Sequence, residues 1–114
     1  GVESRFHIAD ILFQKGKLDE SKAKCQQIIN DMPAYEEWIV RSYILMADIA
    51  AAKGDFAQAK ATLNSIIESY TGDPDLVELA KQKLEQIEEM EKSGKKKSNP
   101  DDSNEELEIN FDNN

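Results

Sequence analysis

One eleven-residue pattern occurs twice in this chain, and it restricts the possible folds more than any other feature. Its copies are Leu12-Phe13-Gln14-Lys15-Gly16-Lys17-Leu18-Asp19-Glu20-Ser21-Lys22 and Ala50-Ala51-Ala52-Lys53-Gly54-Asp55-Phe56-Ala57-Gln58-Ala59-Lys60. Each runs helix-forming residues into Lys-Gly, then a polar residue, a large apolar one, two spacers, a small residue and lysine. Glycine adopts the left-handed conformation cheaply after a last helical residue, and lysine beside it suits the negative end of the helix dipole. Ala or Ser after the turn lets two helices approach closely. The pattern reads as helix, tight turn, helix, written twice.

The rest of the chain divides around those turns. Glu3 to Gln14 places Phe6, Ile8, Ala9, Ile11, Leu12 and Phe13 on a broad apolar face, as for a helix with neighbours on two sides. Asp19 to Asp31 carries a narrower stripe of Ser21, Ala23, Cys25, Ile28 and Ile29, and Pro33 stops it. Tyr35 to Lys53, roughly five turns, is apolar nearly all round and reads as the buried centre. A fourth helix covers Phe56 to Tyr70. Asp73 and Pro74 are an N-cap and first helical residue for a fifth, which runs to about Lys92 with one apolar side and one charged side. Trp38, Tyr35 and Tyr70 either form an exposed aromatic patch or pack against neighbouring helices, and burial is the expectation.

Aligning Gly16 with Gly54 gives a repeat of 38 residues. Ile8-Ala9 then pairs with Met46-Ala47, Asp10-Ile11 with Asp48-Ile49, Cys25 with Leu63, and Ile28-Ile29 with Ile66-Ile67. This resembles the tetratricopeptide repeat, whose signature is an aromatic, Leu-Gly and Tyr in one helix, Ala-x3-Phe in the next, and a closing Pro. Tyr43, Met46-Ala47, Ala50, Ala59 and Leu63 hold those places in the second copy; Arg5, Ile8-Ala9, Leu12, Ser21, Cys25 and Pro33 hold them in the first. Arg5 and Thr71 depart from the pattern. The repeat also exceeds the family's length of about 34 residues by about one helical turn, a surplus that Tyr35 to Trp38 absorbs without rotating the helix faces. An unrelated helical bundle is the alternative, but it has no need of Ala9 and Ala47 in register.

The resemblance implies an all-α, right-handed α-α superhelix. Its parts are two helical hairpins (2–33 and 35–71), a C-terminal capping helix (74–92) and a flexible acidic tail (93–114). About three repeats are usually needed for stability, so two and a cap read as the end of a longer solenoid with repeats upstream. The start at Gly1-Val2 without methionine reads the same way, and any targeting signal would then stand upstream. A bacterial source is expected, with the cell envelope or periplasm favoured over the cytoplasm.

Composition narrows the function further. A net charge of −9 opposes binding to nucleic acid or anionic lipid, both of which need a basic face. No apolar run is long enough for direct membrane insertion. The single cysteine, Cys25, rules out an internal disulfide and stands where the family places a large apolar residue. His7 is the only histidine and has no nucleophile or second ligand at a useful spacing. Asp19-Glu20 and Glu36-Glu37 are helix-start charges. Glu85, Glu88, Glu89 and Glu91 form a solvated face with Lys81, Lys83 and Lys92. No phosphate loop, zinc spacing or calcium loop occurs. The expectation is a non-catalytic scaffold with no cofactor and no metal, binding a protein or peptide.

In the family, the first helix of each hairpin lines a concave face. The resemblance therefore assigns a partner groove to Glu3, Phe6, Asp10, Phe13 and Gln14 from the first copy, and to Arg41, Ile44, Asp48, Ala51 and Ala52 from the second. The Lys and Asn clamp with which some members hold a terminal carboxylate is missing. Asp10 and Asp48 would repel such a group, so an apolar or basic extended segment is the expected ligand. Two alternatives stay open: these side chains only cover helix contacts, or the chain is a structural end-piece without a partner of its own. A last feature is Glu106-Leu107-Glu108-Ile109-Asn110-Phe111-Asp112, which alternates with the period of an extended strand. Leu107, Ile109 and Phe111 form a candidate docking motif, and the tail is read either as free or as docked in an apolar groove on a neighbouring copy or on a partner.

Overall fold

A computed structural model describes residues 1–94. Five α-helices follow one another: α1 (Val2–Gln14), α2 (Leu18–Asp31), α3 (Glu36–Ala52), α4 (Phe56–Ser69) and α5 (Pro74–Ser93). Their ends fall within a residue or so of the sequence expectation. The candidate motif Leu107, Ile109 and Phe111, like Lys95 to Lys97, lies outside the described residues.

The two duplicated turns close in the same way. Gly16 and Gly54 take φ values of 79° and 88°. Each glycine N–H donates three residues back, to the Phe13 and Ala51 carbonyls, both at 2.9 Å. The next residue donates five back, Lys17 to Leu12 at 2.9 Å and Asp55 to Ala50 at 2.8 Å. This paired arrangement satisfies carbonyls that a helix end otherwise leaves open, and it needs a left-handed residue at the glycine. Asp55 then starts α4 by accepting from the Gln58 N–H at 3.1 Å. Asp73 accepts from the Asp75 N–H at 2.9 Å, with Pro74 at the first turn of α5.

Among the described residues the helices contact their neighbours: α1 with α2 and α3, α2 with α3, α3 with α4 and α5, and α4 with α5. The central position of α3 follows from its sequence. Leu45, Ile49 and Ala52 fall at spacings of four and three, and join Ala9, Phe13 and Cys25 in one core. Val40, Ile44, Ala47 and Ala51 form an adjoining stripe and join Ala59, Leu63, Ile66, Leu76, Ala80 and Ile87 in a second core. Two stripes side by side make a helix apolar over most of its circumference, and it must be covered from both sides.

Small residues set the closest approaches. Ala9, Ala47, Ala59 and Ala80 are all at most 1% exposed. Ser21, which aligns with Ala59, is fully buried, and its hydroxyl donates to the Ala9 carbonyl at 2.7 Å, satisfying a polar group that burial would otherwise penalise.

Two expectations are corrected. Ile8 and Ile11 are 48% and 53% exposed, because α2 and α3 cover one flank of α1 and no described element covers the other. The aromatic residues neither form a patch nor share one fate. Tyr35 precedes α3 and is exposed, Trp38 turns onto Phe6 with ring centroids 5.6 Å apart, and the Tyr70 hydroxyl accepts from the Asp73 N–H at 2.9 Å.

Candidate functional site

Because α1 and α5 both lean on α3 without touching each other, a groove is left between them with α3 as its floor. It encloses about 160 Å³ and is lined by Phe6 and Asp10 of α1, Arg41, Ile44, Leu45 and Asp48 of α3, and Leu79 and Lys83 of α5. Five of the ten sequence candidates therefore converge here: Phe6, Asp10, Arg41, Ile44 and Asp48. Ile44 is only 3% exposed and contributes an edge.

The other five lie elsewhere. Phe13 and Ala52 are packed in the first core and Ala51 in the second, all but inaccessible to a ligand. The reason is axial: each continues the groove stripe one turn further along its helix, where that face is packed in a core. Glu3 and Gln14 are exposed at opposite ends of α1, and Glu3 lies 3.6 Å from His7 Nε2.

The groove's electrostatics differ from those of two bare aspartates. Lys83 Nζ lies 3.0 Å from Asp48, with side chains 29% and 18% exposed, so this pair is screened less than a surface pair and offsets the Asp48 charge inside the groove. Asp10 makes no ion pair among the described residues. Arg41 is held at the mouth, its guanidinium 3.1 Å from Glu37 and 5.0 Å above the Trp38 ring. An apolar floor thus carries one compensated acid, one free acid and an anchored cation.

Leu79 and Lys83 were not anticipated by the sequence reading. Leu79 follows Leu76 by three residues and precedes Lys83 by four, so Lys83 borders the apolar stripe instead of the solvated face to which its charge assigns it. That i, i+4 spacing, with a long stem able to reach along apolar surface, was the available signal.

The tetratricopeptide repeat family model matches residues 12–84. The chain belongs to the tetratricopeptide repeat family. No curated protein and no solved structure matches it. Repeats of this family generally mediate protein–protein interaction and are typically non-enzymatic scaffolds. The first helices of the two hairpins, α1 and α3, line the groove together with the capping helix α5.

Cys25 and His7 stand outside the groove lining. Cys25 is fully buried, and loss of solvent, aided by the Asp10 charge, pushes its thiol up to about 12. His7 is exposed on α1. Among the described residues no group of three or more His, Cys, Asp or Glu is placed to hold a metal ion, and no helix is long and apolar enough to cross a membrane.

Proposed function

We propose that this tetratricopeptide repeat chain is a non-catalytic scaffold that receives an extended apolar or basic segment of a partner protein in the groove between α1, α3 and α5. The observation that carries the reading is the meeting of Phe6, Asp10, Arg41 and Asp48 with Leu79 and Lys83 around one apolar floor. With Asp48 offset by Lys83, Asp10 is the charge left to select a basic residue over an acidic one. Trp38 is the only tryptophan and packs at a 52° tilt against Phe6 of the groove, so its emission should report on groove occupancy. Titration with short Leu/Lys peptides should change that emission saturably, and Leu/Glu peptides of equal length should not. Asp10→Lys should remove the preference. Equal response to both peptide types, or a preference untouched by Asp10→Lys, would count against this site.

A second reading, a structural end of a longer solenoid, is favoured by the exposed flank of α1. Ile8 and Ile11 align with Met46 and Ile49 one repeat later. There, Ile49 is 2% exposed and Met46 is half-covered, because the preceding hairpin packs on them. By the same geometry a further hairpin would cover Ile8 and Ile11, while the charged outer side of α5 needs no cover. This reading expects no peptide response at Trp38, and it expects a chain extended upstream to protect the Ile8 and Ile11 amides from exchange.

A further inference from the structure

The two aspartates of the groove hold the same place in successive copies, yet only Asp48 is compensated. The cause lies in how α5 sits. Moved by 38 residues along the chain, the burial of α3 reappears in α5. Ser42 becomes Ala80, both fully buried, Met46 becomes Leu84, both half-buried, and Ile49 becomes Ile87, at 2% and 1% exposure. Lys53 becomes Glu91, and each reaches back to the helix before it, Lys53 to Asp19 of α2 and Glu91 to Lys60 of α4. Helix α5 therefore stands on α3 and α4 as α3 stands on α1 and α2.

In that register Lys83 holds the place of Leu45, and both line the groove. Where α3 meets α1, the residue at this place is apolar, and Asp10 makes no ion pair among the described residues. Where α5 meets α3, the same place carries an ammonium group, 3.0 Å from Asp48. One substitution between equivalent junctions thus separates a free acid from a compensated one.

We propose, on the basis of the groove's proposed role as the seat of a partner segment, that Lys83 is its specificity-determining residue: it restricts the groove to segments carrying one basic residue among apolar neighbours. Asp10, with no cation of its own, attracts that residue. Asp48 stands on the adjoining helix, about 8–10 Å away at an ordinary helix spacing, which an extended segment covers in about three residues. A second basic residue arriving there finds the carboxylate already engaged. It gives up hydration, meets the like charge of Lys83 and gains no free acid, and such like-charge juxtaposition rejects partners. Arg41 leaves this count unchanged, because Glu37 holds its guanidinium through contacts of 3.1 and 3.3 Å. Leu79 and Ile44 supply the apolar surface for the neighbouring residues of the segment.

Calorimetric titration of the whole chain with Leu/Ser peptides of equal length tests this. One peptide carries a single lysine, and two others carry a second lysine two or three residues further on. The unaltered protein should bind all three within about twofold, since a second lysine adds only a solvent-exposed charge. Lys83→Leu, which restores at the second junction the residue type found at the first, should bind the better two-lysine peptide about tenfold more tightly than the one-lysine peptide. Adding Asp48→Asn should abolish that gain. Lys83→Gln, which keeps a polar side chain at a partly exposed position, should show the same gain if the leucine variant folds poorly. A two-lysine advantage already present in the unaltered chain overturns the proposal, as does an unchanged ratio in both Lys83 variants. Absence of saturable binding of any of these peptides to any of these chains overturns the groove reading itself, and the role of Lys83 with it.

Discussion

Ala47→Leu is the sharpest test of the packing register. Ala47 is 1% exposed and lies in the core that also holds Ala51, Ala59, Leu63 and Ala80, where α3 meets α4 and α5. Leucine adds three carbons where the neighbouring surfaces are already in contact, so helices must separate or side chains must leave their preferred rotamers. Such overpacking costs about 1–3 kcal/mol. For a domain of this size each kcal/mol moves the midpoint by about 4–8 °C, so Tm should fall by about 5–20 °C in a circular-dichroism melt. Ala57→Leu is the control: Ala57 is exposed on α4, and a surface change of this kind stays within about 0.5 kcal/mol. Helix propensity is nearly equal for the two residue types and contributes little to either variant. If both variants melt with the unaltered protein, Ala47 does not sit at a crossing and the register is wrong.

The turn glycines make a complementary case. At Gly16 a Cβ would meet nothing within 4 Å, so the cost of Gly16→Ala is purely the left-handed backbone, about 1–2 kcal/mol by denaturant unfolding, and Gly16→Val should cost more; a gain in stability refutes the motif. With its pKa at about 12, Cys25 should react with a thiol reagent at pH 8 about 10³-fold more slowly than a free thiol, and promptly once denaturant is added. Lys53 hydrogen-bonds Asp19 and holds its carboxyl below the ordinary 3.8. Because the folded value is the lower one, the link favours the fold above the ordinary pKa and is lost as pH falls through the lowered value. An NMR titration should place the Asp19 midpoint below 3.8, and Lys53→Met should restore it.

Helix bounds, both turns and the small-residue crossings were legible because they are local or repeat in register. Gly16 and Gly54 announce their conformation by residue type, and Ala9 and Ala47 by alignment. The groove was legible in part. Asp10 and Asp48 were found through the repeat, but their opposite states were not, since Asp48 is compensated by Lys83 from a helix outside the aligned copies. Phe13, Ala51 and Ala52 were misplaced because family positions fix a helix face only to within a turn, and one turn here separates groove from core. Ile8 and Ile11 show the converse. Their pattern records a surface suited to burial, and only the arrangement of neighbours decides whether it is covered.

The placement of α3 between two cores also governs how the molecule comes apart. In a stack whose units touch only their neighbours, each unit can in principle melt by itself. Here Leu45, Ile49 and Ala52 serve one core while Val40, Ile44, Ala47 and Ala51 serve the other. Neither core can dissolve without stripping a face from the helix on which the second depends, so α3 ties the two hairpins into a single cooperative unit. Amide exchange in the middle of α3 should therefore proceed only through global opening, while α1 and α5, each supported from one side, fray at lower free energy.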